Sequence, residues 1–176
     1  VDNVMDKWII ARLHKLVNEV IGYMDGYNIA SSSREIEDFV KDLSQWYIRR
    51  GRVRFKNGDA NALGTLHYVL LELSKLLAPF VPFISEVMYL NLSGEKESVH
   101  LENYFDSKKE NIDEDVLKKM NLAREICSNG LKVREDAKMN LRQPLLEAYI
   151  SIDDSEIMEI VKEELPLSEE VVGKYL

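Results

Sequence analysis

The chain has 176 residues, enough for one domain with a core of its own and a smaller partner, and its mixture of 45% hydrophobic and 31% charged residues excludes a disordered chain. A single cysteine, Cys127, excludes an internal disulfide framework and argues against a cysteine metal site. The formal charge of −8 weighs against nucleic-acid binding unless positive charge is gathered on one face.

From about Asn3 to Met24 the apolar residues Trp8, Ile9, Leu13, Leu16, Val17, Val20 and Ile21 recur in steps of three and four. That pattern predicts an amphipathic helix, capped by Asn3 and ended by a left-handed Gly26. A second helix is expected to open on the capping box Ser32 to Glu35. Its apolar stripe runs through Ile36, Phe39, Val40, Leu43, Trp46 and Tyr47, with Trp46 mostly in the core, and a turn is expected around Gly51, Asn57 and Gly58. A third helix spans about 60 to 77. Pro79 stops it, and Pro82 opens a fourth through Ile84, Val87, Met88 and Leu90. Four such helices with short links predict an antiparallel bundle over residues 1–105.

The chain turns polar from Ser93 to about Glu114. A short extended piece is expected at Val99-His100-Leu101, and a boundary near 105–111. Residues 106–176 are expected to form a small α/β module of helix-strand-helix-strand order. A helix runs from Asp113 to Asp136. Alternation at Leu146, Ala148, Ile150 and Ile152 predicts a strand, a helix capped by Asp153 and Glu156 reaches Leu165, and a further strand is placed at 171–176. The fold class is therefore mostly α.

The longest apolar stretch, Leu76 to Met88, is broken by Pro79, Pro82 and Glu86 and is too short for a bilayer, and no signal peptide is expected. His14, His67 and His100 have no second ligand at helical spacing, so no metal site is expected. Cys127 is placed in the core. No catalytic constellation is found.

The densest chemical feature is Trp46-Tyr47-Ile48-Arg49-Arg50-Gly51-Arg52-Val53-Arg54-Phe55-Lys56. Arginine's planar fork suits phosphate. Tyr47 and Phe55, with Trp46, offer rings on which splayed bases could stack, at roughly 1–3 kcal/mol per base. The plainer alternative is a solvated helix end whose cations answer the helix dipole, over rings that close the core. Lys132, Arg134, Lys138 and Arg142 form a second basic group. It could follow a phosphate backbone, or pair with Glu135 and Asp136.

Four stretches resemble the C-terminal part of class Ia aminoacyl-tRNA synthetases: Asp6-Lys7-Trp8-Ile9 with Arg12-Leu13; Phe39 to Arg52; Leu73 to Phe83 with Ser98-Val99-His100-Leu101; and Arg142-Gln143-Pro144-Leu145. Within the class, Leu43-Ser44-Gln45-Trp46-Tyr47-Ile48-Arg49-Arg50-Gly51-Arg52 is similar to the isoleucyl-tRNA synthetase family. The resemblance covers about residues 1–165. It implies a helical anticodon-binding domain whose partners are the isoleucine tRNA and the catalytic and editing domains of one parent chain. It also implies a monomeric, cytoplasmic enzyme that consumes ATP with Mg. The family's two ATP-binding signatures, one His-Ile-Gly-His-like and one Lys-Met-Ser-Lys-Ser-like, are absent from this sequence, so the fragment is expected to hold no cofactor and to be inactive alone. On the resemblance, Tyr47, Arg49, Arg50, Arg52, Arg54, Phe55 and Lys56, with Lys132, Arg134, Lys138 and Arg142, are the candidate tRNA contacts. The valyl and leucyl enzymes, or a protein-docking helical module, are the alternatives.

Overall fold

The structure, a computed structural model, describes residues 3–92, 95–104, 112–140, 143 and 154–165. Its helices are α1 (Val4–Asp25), α2 (Ile29–Lys41), a π-helical segment (Asp42–Ile48), α3 (Arg49–Lys56), α4 (Ala60–Leu77), α5 (Pro82–Asn91), a 3-10 turn (Val99–Leu101), α6 (Glu114–Asp136) and α7 (Ser155–Glu164). The chain divides into two compact units, Val1–Glu114 and Asp115–Leu176.

In the first unit, α1 is the central helix. Its buried residues Trp8, Ile9, Leu13, Leu16, Val17 and Val20 face α2, the π segment and α4. Phe39, Leu43 and Tyr47 meet them from one side, Val69, Leu73 and Leu76 from the other. Asn3 caps α1 as expected, its side chain accepting from the Met5 N–H at 2.9 Å. Asp59 caps α4 in the same way, accepting from Asn61 and Ala62.

The end of α1 differs from expectation. Gly26 has φ −88°, and the left-handed residue is Tyr27, at φ 56°. The Tyr27 N–H reaches the Met24 carbonyl and the Asn28 N–H reaches Tyr23, the paired bonds of a Schellman ending. Because that ending leads straight into the next helix, Asn28 is the cap of α2, accepting from the Ser31 N–H at 3.1 Å. Ser32, expected at the helix start, is instead fully buried one turn inside, its hydroxyl donating to the Asn28 carbonyl.

No turn interrupts the chain at Gly51, which lies buried within α3. Continuous winding is possible because Asp42–Ile48 adopts the wider π geometry. Phe39, Leu43, Tyr47 and Gly51, all buried, then recur in steps of four, where an α-helix of about 3.6 residues per turn would need intervening steps of three. Trp46 consequently leaves the core stripe and is half-exposed. A Cβ on Gly51 would lie 2.7 Å from the Phe55 ring, which packs edge-on against Tyr47 at 5.8 Å.

A buried polar knot joins α1 to α2 and the π segment. Arg12 Nε donates to Asp42 at 3.1 Å, and its other nitrogens face Glu19 and Glu35 at 3.6 and 3.9 Å. Pro82 opens α5, as its fixed φ favours. Yet the apolar residues expected to face inward, Ile84, Val87 and Leu90, are exposed, while Ser85 and Tyr89 are buried. Val99-His100-Leu101 is a 3-10 turn rather than an extended piece. Ser98 caps it through the His100 N–H, and Glu86 accepts the Val99 N–H at 2.9 Å.

In the second unit, Leu117, Met120, Ala123 and Cys127 of α6 are buried, as are Ile157, Ile160, Val161 and Leu165 at α7. Gly130 permits close packing there: a Cβ would lie 2.6 Å from a Leu165 methyl. The α7 cap is Asp154, which accepts from the Ile157 N–H and pairs with Lys119 at 2.8 Å. The expected partner in that role, Asp153, lies outside the described residues. So do both strands expected in the C-terminal module; among the described residues there are helices and no strand.

Candidate nucleic-acid interface

The residues of α3 carry five cations and no carboxylate. Helical geometry decides where they point. Arg49, Arg52 and Lys56 stand at i, i+3 and i+7, so they share one outward strip, and all three are exposed. Val53, 67% exposed, lies on the same strip. The opposite side of α3 is closed by buried Gly51 and half-buried Phe55. Lys56 sits in the last turn, where the helix dipole favours positive charge. The Arg49 Nε is turned back onto the Gln45 carbonyl at 2.8 Å, which fixes its stem while the charge remains at the surface.

Arg50 and Arg54 occupy the flank. The Arg50 guanidinium lies 5.9 Å from the Trp46 ring centre. A half-exposed indole under a guanidinium makes a flat, cationic platform. Trp46 was expected mostly in the core, with stacking as the other reading; its half-exposed position departs from the first. The signal that could have found it, the π winding, is not written in side-chain periodicity.

Arg54 is committed elsewhere. Its two terminal nitrogens grip both oxygens of Asp6 at 2.9 and 2.7 Å, and Nε donates to Asp59 at 2.8 Å. These bonds, led by the one to Asp6, hold the guanidinium above its ordinary pKa, and the one from Arg54 is the chief cause that holds Asp59 below its own. Tyr47 is likewise internal: it is 1% exposed and its hydroxyl donates to Asp6 at 2.8 Å. Burial first, then that bond, pushes the phenol well above its usual range. Tyr47 therefore offers no face to a base. Asp6, Tyr47 and Arg54 form the frame that sets the height of α3 against α1.

The second basic group is split. Lys132 and Lys138 are exposed, and Lys138 is left-handed at φ 53°. Arg134 is 1% exposed, and its Nη1 donates to the carbonyls of Gln143 at 2.7 Å and Asn140 at 3.4 Å. It pins the turn after α6. Arg142 lies outside the described residues. Among the described residues no cluster of histidine, cysteine or carboxylate is arranged to hold a metal, and no helix is long and apolar enough to cross a membrane.

The family model for the anticodon-binding domain of tRNA ligases matches residues 6–150 of this helical chain. The chain belongs to that family. Within it, the chain is similar to isoleucine–tRNA ligases. The Clostridium acetobutylicum enzyme is 42% identical over 85% of this chain, and the Deinococcus radiodurans enzyme 38% identical over 90%. The Clostridium tetani enzyme is 36% identical over 98%. The chain spans only 15–18% of the length of these three relatives.

Proposed function

We propose that this chain is the part of an isoleucine–tRNA ligase that holds the anticodon stem and loop of the isoleucine tRNA. In this reading the bundle of residues 1–105 makes the RNA contacts and residues 106–176 form the junction module. Activation of isoleucine with ATP and Mg, and its transfer to the tRNA, belong to the other parts of a monomeric, cytoplasmic parent enzyme, and the fragment alone is inactive. The observation that carries the reading is the alignment of Arg49, Arg52 and Lys56 on one exposed strip of an acidic molecule. Arg50 over Trp46 supplies a neighbouring stacking surface. Lys132 and Lys138 are proposed as outlying phosphate contacts, together with Arg142. Phe55, Tyr47, Arg54 and Arg134 support the surface from within.

The test is a titration of the chain with isoleucine, valine and leucine tRNAs at two salt concentrations. The isoleucine tRNA should bind tightest, with affinity falling as salt rises, because bound phosphates release counterions. Replacing Arg49, Arg52 and Lys56 together by Glu should weaken binding and flatten the log–log salt dependence by about 2. Binding unchanged by that replacement removes this strip as the contact. Tighter binding of the valine or leucine tRNA reassigns the amino acid.

A further inference from the structure

Helix α5 is amphipathic the wrong way round. Phe83, Ile84, Val87 and Leu90 fall within one arc of the helix and face outward, Phe83 at 89% exposure and the other three at 52–54%. Val81, 42% exposed, extends the patch at the helix start. The opposite arc, which faces the bundle, carries the polar groups. Ser85 is fully buried and donates to the Pro82 carbonyl. Glu86 accepts from the Ser98 hydroxyl at 3.0 Å and the Val99 N–H at 2.9 Å. Tyr89, fully buried, donates to Glu102 and accepts from the Lys96 N–H at 2.9 Å. Hydrogen bonds from Glu86 and Tyr89 therefore tie α5 to residues 96–102, and Phe83, Ile84, Val87 and Leu90 are left outside.

Isolated exposed apolar residues are ordinary, but a contiguous stripe on one helix marks a contact surface. Its chemistry excludes a phosphate backbone, because it presents no cation. We propose that this face of α5 docks onto an apolar groove of protein surface within the same parent polypeptide. The inference rests on the reading of the chain as part of a longer ligase. What selects that occupant is length: the relatives carry more than four-fifths of their polypeptide outside the matched region, while this chain is matched along 85–98% of its own length. A helix presenting anchors at i, i+1, i+4 and i+7 is suited to a groove.

The test is thiol accessibility. Val87→Cys, and separately Leu90→Cys, are placed in the isolated chain and in the parent ligase, with Lys56→Cys as a control on the cationic strip; native Cys127 is buried. Thiol alkylation follows exposure. In the isolated chain all three new thiols should react quickly. In the parent ligase without tRNA, the two on α5 should react at least roughly tenfold more slowly, as protected sites do, while the control is unchanged. Equal reactivity of both α5 thiols in the two proteins overturns the proposal. Protection in the isolated chain that grows with its concentration overturns it in favour of a second copy, and protection appearing only with added tRNA overturns it in favour of RNA. Loss of tRNA binding by the isolated chain, with α5 protected in the parent, would instead remove the RNA reading and leave the docking face standing.

Discussion

Arg54 holds Asp6 by two parallel hydrogen bonds across 48 residues of sequence, fastening the last turn of α3 to the first turn of α1. Asp6 has no exposed surface and also receives the Tyr47 hydroxyl, so three polar groups depend on one another. Removing one member leaves the others buried without compensation, which is costlier than the pair is stabilising. Arg54→Ala should therefore destabilise the chain by about 3 kcal/mol. Arg54→Lys should recover only part of this, because an ammonium cannot make the paired contact. Urea unfolding at neutral pH measures both. Charge reversal at Arg54 would thus be read as loss of fold, while reversal along Arg49, Arg52 and Lys56 leaves helicity intact.

Gly51 gives a prediction whose sign depends on its neighbour. Alanine in a helix gains about 1 kcal/mol over glycine. The added methyl would strike the Phe55 ring, and such overpacking costs about 1–3 kcal/mol. Gly51→Ala should be neutral to destabilising in the wild type and stabilising in a Phe55→Ala background. A double-mutant cycle by thermal unfolding reads the reversal.

Glu19 should make stability depend on pH. Burial first, then the negative charge of Glu35, raises its pKa above the ordinary 4.5, against the opposing pull of Arg12 and Lys15. The folded state thus holds this proton more tightly than the unfolded one. Its contribution to stability declines as pH rises from about 4.5 through the raised folded value. Glu19→Gln should lose that decline and gain on the wild type towards neutral pH. Denaturation midpoints at pH 4 to 8 would show it as converging and crossing curves; parallel curves would rule it out.

Tyr27 adopts φ 56° while its side chain is 91% exposed. A left-handed conformation costs a non-glycine residue about 1–2 kcal/mol, and nothing packed would be lost by truncation. Tyr27→Gly should raise the melting midpoint, with a gain of about 1 kcal/mol after the added freedom of the unfolded chain is counted. Differential scanning calorimetry measures it.

The helical class, the span of α4, the cap at Asn3 and the opening of α5 at Pro82 were legible in the sequence because each follows from local spacing and capping chemistry. The left-handed residues Tyr27 and Lys138 were not, because a left-handed ending normally advertises itself with glycine, as Gly58 does here at φ 72°. The α5 stripe was legible as amphipathic, yet its direction was not. Periodicity reports that two faces differ; it does not say which one the bundle takes, and here Glu86 and Tyr89 face inward, hydrogen-bonded to Val99 and Glu102 13 residues on. At the candidate site, the clustering of cations was visible in the letters. The separation of Arg54 from its neighbours was not, since its partner Asp6 lies 48 residues away in sequence.

The wide winding of Asp42–Ile48 also acts as a rotational setting. Each residue of an α-helix advances the azimuth by about 100°, and a π segment amounts to one residue inserted into such a helix. Rewinding those residues as tight α-helix, with none removed, would swing everything downstream by roughly that angle. Arg54 would lose Asp6, and the outward strip would turn along the bundle's flank. The bearing of the cationic edge is thus fixed by seven residues that carry none of its charges.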